Sequence, residues 1–191
     1  MVAAVISYIG AVAWLYEQPR IGKTAIVILG YLAFVGAARI YIKIDLRWLK
    51  TFEFGDRLTS GLLLGSVTTA MLLGHWYLNT PTMKLEPLKR LLLLVFAAIV
   101  LRMCVCIPGG SLAAMTRLSV IGISPTTFGV FVALRWLSGL VGLFGLTFLT
   151  WQTLKIPNTQ SATGILYAAV ILTFIGELTS QLLSAETLYP V

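Results

Sequence analysis

LLLLVFAAIVLRMCVCI, residues 91–107, is seventeen residues with one charged side chain, Arg102, and it decides the fold. A run of this length and apolarity has too few polar positions for a surface helix, and it lacks the alternation of a half-exposed strand. It reads as a helix in lipid. Similar runs lie on both sides: Met1 to Tyr16, Thr24 to Ile40, Leu58 to Leu78, Thr127 to Trp151 and Ala162 to Leu183. A bilayer core of about 30 Å needs around 20 helical residues, so most of these segments can cross it and the first is marginal. Backbone groups in lipid must be paired internally, and continuous apolar runs do not suit an outer-membrane barrel. The expected fold is all-α, an integral membrane bundle of about six transmembrane helices forming a single domain over residues 1–191.

Composition agrees. The 191 residues are 58% hydrophobic and 11% charged, where a soluble domain carries roughly 25% charged residues. The mean hydropathy is +0.92. The formal charge of +7 does not imply nucleic acid, because the Lys and Arg residues sit in loops beside the spans, where orientation and phospholipid headgroups account for them. Ala11-Val12-Ala13 resembles a signal cleavage site, but no Lys or Arg precedes the first apolar run as a signal requires. Loop charge gives no orientation. One side receives Arg20, Lys23, Lys84, Lys89, Arg90 and Lys155, the other Lys43, Arg47, Lys50, Arg57 and Arg117 with the helix-end Arg39 and Arg102.

Two loops are long. Residues 41–57 mix charges with Leu46, Trp48, Leu49, Phe52 and Phe54, as in an amphipathic element at the interface. Residues 108–126 open with Pro108-Gly109-Gly110, and Ala113 to Val120 form a short surface helix in this reading.

Chemistry-bearing motifs are few. One histidine, His75, excludes a haem held by two histidines of this chain, and beside Trp76 and Tyr77 it reads as an interfacial ring. Cys104 and Cys106 lack the ligand number of an iron–sulfur or zinc site and read as packing residues. No hydrolase, zinc-protease or phosphate-loop motif occurs. Gly61, Gly65, Gly139, Gly142 and Gly145 are expected to allow close helix contacts.

Ionisable residues within apolar spans are costly unless paired, which makes Arg39, Arg102, Arg135 and Glu177 the candidates for function. Following the chain back and forth places Arg102, Arg135 and Glu177 each about 6 Å to the same side of their helix centres, at 1.5 Å per residue. Arg39 lies slightly nearer that surface, with Tyr41, Asp45 and Trp48 just beyond it. Two explanations compete for this polar layer. One is an Arg135–Glu177 ion pair with Arg39 and Arg102 extending to headgroups. The other is a functional path, either a lipid-accessible quinone pocket with Glu177 relaying protons or a route for a small solute.

Ala38-Arg39-Ile40-Tyr41, then Ile44-Asp45, Trp48, Thr51 and Phe52, then Leu58-Thr59-Ser60-Gly61 to Gly65, resembles the middle of the membrane-anchor subunit of DMSO reductase. Phe128-Gly129 with Leu134-Arg135-Trp136 is similar to the start of that family's penultimate helix, and Ile175-Gly176-Glu177-Leu178 to the Gly-Glu-Leu of its last. The resemblance implies a protein without haem or a covalently bound cofactor. It would tether a molybdopterin catalytic subunit and an iron–sulfur electron-transfer subunit to a bacterial or archaeal cytoplasmic membrane, and take electrons from menaquinol. Its implied partners are those two subunits, quinone and membrane lipid, with molybdopterin and iron–sulfur clusters held by the partners. It also implies a family of about eight helices of which this chain begins at the third, the absent front holding a His-containing loop used for quinol. The family typically continues Gly-Glu-Leu with Gly-Arg, whereas this chain has Thr179-Ser180-Gln181. By this comparison the quinol-site candidates are Arg39, Tyr41, Asp45, Trp48, Arg102, Arg135 and Glu177, and substrate reduction belongs to a partner. The alternatives are a structural anchor without quinol chemistry and a small-solute transporter.

Overall fold

In the computed structural model the backbone is described for residues 1–40, 47–80, 83–115, 125–156 and 158–186, and side chains for 1–36, 38, 54–80, 83–108, 129–156 and 158–184. Every described element is helical: α1 Val2–Leu15, α2 Pro19–Ile40, α3 Arg47–Asn79, α4 Glu86–Met115, α5 Pro125–Trp136, a π-helical segment Leu137–Gly142, α6 Leu143–Thr153 and α7 Thr159–Glu186. Among the described residues five stretches are long and apolar enough to cross a membrane, namely Pro19–Gly36, Phe54–Asn79, Glu86–Pro108, Gly129–Thr153 and Thr159–Ser184, and α1 is a shorter apolar helix. The protein is an all-α, multi-pass membrane bundle.

The chain divides into two compact units, Met1–Lys50 and Thr51–Val191. The first holds a helical hairpin. Its turn is made by Glu17, whose φ is 55°, and by the Gln18 N–H donating to the Ala13 carbonyl at 2.8 Å. Small residues bring the two arms together, since a Cβ on Gly10 would lie 2.9 Å from that of Ala25, and one on Gly22 would strike the Trp14 indole. The 14 residues of α1 reach only about 21 Å at 1.5 Å per residue, short of the roughly 30 Å core.

In the second unit the spans of α3, α4, α5–α6 and α7 share one apolar core. Leu63, Val67 and Ala70 of α3 meet Leu92, Val95, Ala98 and Ile99 of α4, Leu143 of α6, and Leu166 and Ala169 of α7. Buried threonines fit this core because each hydroxyl is satisfied by its own helix: Thr147, Thr150 and Thr173 donate to carbonyls four residues back at 2.7–2.8 Å.

Two boundaries differ from the sequence reading. The expected interfacial element of residues 41–57 is, from Arg47 onward, the first part of α3, a single helix of 33 residues. Likewise α4 does not stop at Pro108-Gly109-Gly110 but runs through them to Met115, so Ala113 belongs to α4 and the rest of the expected surface helix lies outside the described residues. Proline removes one backbone donor from a helix, and membrane helices tolerate this where neighbouring groups satisfy the freed carbonyl.

Candidate functional site

Four ionisable side chains from four elements converge inside the second unit: Asp56 of α3, Arg102 of α4, Arg135 of α5 and Glu177 of α7. Arg102 and Arg135 are among the most buried side chains of the protein, with 1% and 0% of their surface exposed. Isolated charges at such depth would cost several kcal/mol each. Here each is paired.

Glu177 is the common acceptor. Its Oε1 receives Arg102 Nε at 3.2 Å and faces Arg135 Nη2 at 3.4 Å, while its Oε2 receives Arg102 Nη2 at 3.0 Å and the Ser60 hydroxyl at 2.5 Å. The Arg102 fork therefore grips both oxygens, the geometry in which guanidinium and carboxylate bind best. Arg102 also reaches α3, where Nη1 donates to the Asp56 carbonyl at 2.8 Å, to Thr59 Oγ1 at 3.2 Å and to the Asp56 carboxylate. On the α7 side Nη2 meets Ser180 Oγ at 3.3 Å. Two cations and two anions sum to zero, so the cluster is neutral as a unit.

Arg135 is placed by an unusual backbone. The chain behind it runs as a π-helix over Leu137–Gly142, a turn that often marks a functional position in a helix. Gly139 and Gly176 touch backbone to backbone there: a Cβ on Gly139 would lie 2.9 Å from the Gly176 Cα and would strike Arg135 Nη1. The guanidinium thus fills space that only glycine leaves open. At Gly142 a Cβ would come within 2.7 Å of the Leu137 carbonyl oxygen and 3.1 Å of a Leu172 methyl on α7. Gly61, Gly65 and Gly145 face open space, so close contact explains only two of the five expected glycines.

Beside the cluster is a cavity of about 420 Å³, lined by Asp56, Arg57, Ser60, Arg102, Glu177, Gln181 and Ser184. Sites for small molecules span roughly 300–1,000 Å³. Asp56 is the cluster's more open acid, its side chain 19% exposed against 5% for Glu177. Ser184 Oγ is buried, with no hydrogen-bond partner among the described residues.

No protein-family model, curated protein or solved structure matches this chain.

The expected Arg135–Glu177 pair is present, and Arg102 joins it. One of the two explanations had Arg102 extending to headgroups; instead it is buried, because Asp56 and Glu177 supply the acceptors that headgroup phosphates would otherwise offer. Tyr41, Asp45 and the side chains of Arg39 and Trp48 lie outside the described residues. Asp56 and Ser60 were missed as site residues. A signal existed: both lie one helical turn apart on the segment entering the span, but Asp56 was grouped with the loop charges. Of the two cysteines, Cys104 is exposed and Cys106 is buried, with its sulfur 3.5 Å from Arg135 Nη2. His75 Nδ1 lies 3.1 Å from the Tyr167 hydroxyl, far along α3 from the ionic cluster. Among the described residues no three His, Cys, Asp or Glu side chains could hold a metal ion.

Proposed function

We propose that this chain is the membrane-anchor subunit of a DMSO reductase-type molybdenum oxidoreductase in a bacterial or archaeal cytoplasmic membrane, and that it supports menaquinol oxidation for its partners. The observation that carries this reading is the neutral Asp56–Arg102–Glu177–Arg135 cluster opening on a cavity of about 420 Å³. Leu134-Arg135-Trp136 and Gly176-Glu177-Leu178, two stretches that carry the resemblance, meet at this cluster.

The residues present fit a quinol headgroup. Arg57 and Gln181 offer donors on the cavity wall, and Asp56 offers an acceptor. Quinol supplies two electrons and two protons on oxidation; the chain's own task is to bind the ring, accept protons and pass electrons to the iron–sulfur subunit. Substrate reduction takes place on the molybdopterin subunit.

A purely structural anchor is the second reading, favoured by the saturation of Glu177, whose two oxygens face four donors. In some proteins buried polar or charged groups serve to fix helix register.

Purification from the native membrane in mild detergent, with mass spectrometry and molybdenum and iron analysis of what copurifies, tests the proposal. A molybdopterin subunit with an iron–sulfur partner is expected. A chain that emerges alone, metal-free and active in solute uptake by liposomes would replace the proposal with transport. Within a complex, loss of assembly in Glu177→Gln and Arg135→Leu together with absence of menaquinol binding to the native protein would leave only the structural anchor.

A further inference from the structure

The cluster's two carboxylates are not equivalent, and we infer that Asp56, not Glu177, is the group that accepts a proton from a hydroxylated ring in the cavity, Glu177 serving to position Arg102. This inference rests on the quinol reading above and divides its labour between the two acids.

Glu177 is occupied. Three guanidinium nitrogens of Arg102 and Arg135 and the Ser60 hydroxyl take up its two oxygens at 2.5–3.4 Å. A proton arriving there would have to displace a donor and weaken the grip on two buried cations. Asp56 differs in three respects. Its side chain is 19% exposed, it lines the cavity, and its hydrogen bond to Arg102 uses Oδ1, leaving Oδ2 with no hydrogen bond among the described residues. A base must lie within hydrogen-bond reach of the proton it takes. As a residue of the cavity wall, Asp56 is the acid beside which a ring hydroxyl held there would lie.

Arg102 connects the two acids. It donates Nη1 to Asp56 and Nη2 with Nε to Glu177, so its placement against Asp56 is fixed by the fork on Glu177. In the step, the ring O–H bond breaks as an O–H bond forms on the Asp56 carboxyl. One electron passes with it to a one-electron iron–sulfur acceptor in the partner subunit. Asp56 then releases its proton to solvent through the cavity, and a second such step removes the ring's remaining proton and electron. Arg57, also on the cavity wall, adds a cation beside Asp56.

The test uses a short-chain menaquinol analogue in two measurements. One is its binding to the full chain in lipid nanodiscs; the other is the rate at which it reduces the iron–sulfur centres of the copurified complex. For Asp56→Asn we expect the rate to fall about 10²-fold or more while Kd stays within about threefold, and Asp56→Glu to recover at least tenfold of that loss. Glu177→Gln should lower the unfolding midpoint and the rate together. An Asp56→Asn rate within about threefold of the native rate, or a Glu177→Gln rate loss as steep as that expected of Asp56→Asn at an unchanged midpoint, overturns the assignment and leaves the quinol reading standing. If Asp56→Asn does not fold, Asp56→Glu decides: an altered rate at unchanged Kd supports the role, and an unaltered rate removes it. Absence of binding to the native chain overturns the quinol reading, and the role of Asp56 with it.

Discussion

Replacing Glu177 with glutamine changes few atoms and exposes what the cluster depends on. The amide keeps one oxygen and presents an NH2 where the other stood. Ser60 can rotate its hydroxyl to accept, so the better orientation puts that NH2 at the Oε2 position, where it also confronts Arg102 Nη2 at the 3.0 Å now occupied by a carboxylate oxygen. Two arginines that are 1% and 0% exposed then face Asp56 as the remaining carboxylate of the four-residue cluster. Removing one partner of a buried ion pair costs about 3–5 kcal/mol, and we expect Glu177→Gln to lie in that range. Reversible unfolding in mixed micelles, titrated with a denaturing detergent, measures it. The decisive comparison is the double variant with Arg135→Leu, which removes one cation and restores neutrality between Arg102 and Asp56. It should recover at least about 1 kcal/mol relative to the sum of the single losses, because residues sharing one ionic network do not contribute additively. Strict additivity, or a single-variant cost under about 1 kcal/mol, would refute the view that Glu177 holds the cluster together.

Other substitutions test other parts of the structure. Gly176→Ala drives a methyl into the Gly139 backbone and should cost about 1–3 kcal/mol as an overpacked contact; Gly65→Ala, which faces open space, should be neutral or slightly stabilising in the same unfolding assay. Tyr77 is 1% exposed and its hydroxyl donates to the Lys84 carbonyl at 2.5 Å; Tyr77→Phe strands that carbonyl and should cost about 1–3 kcal/mol by the same measurement. Ser60→Ala removes one donor from Glu177 but no charge, so its cost should be about 1 kcal/mol and clearly below that of Glu177→Gln. Maleimide labelling of the folded protein in detergent should modify the exposed Cys104 and spare the buried Cys106 until unfolding.

The spans were legible because lipid imposes a coarse requirement on sequence. A run such as Leu91 to Ile107 has no other stable place, and α4 does hold it. The pairing of Arg135 with Glu177 was also legible, because successive antiparallel helices bring residues at matching depth together. Three features were not. The partner of Arg102 could not be chosen from depth alone, since an arginine near a helix end either extends outward or turns to an inward acid. Asp56 was masked by neighbouring loop charges, although a continuous α3 carries it into the bundle. The π segment behind Arg135 carries no residue pattern that distinguishes it from an ordinary turn of helix; only the Gly139–Gly176 contact and the Leu137 carbonyl against Gly142 reveal why glycine is needed.

The cluster also bears on how one site could serve both assembly and chemistry. A structural network gains most when every donor and acceptor is matched, because each unmatched group in a low-dielectric interior is costly. A chemically active site needs at least one group left open to a ligand. In this bundle the two requirements fall on different residues: Glu177 is saturated and 5% exposed, whereas Asp56 is 19% exposed, lines the cavity and keeps one oxygen without a hydrogen bond among the described residues. A purely structural cluster gains nothing from leaving a carboxylate oxygen of Asp56 unmatched beside a cavity. The unequal occupancy of the two acids is therefore the feature that weighs toward a ligand, and it directs the search for that ligand to the α3 side of Arg102.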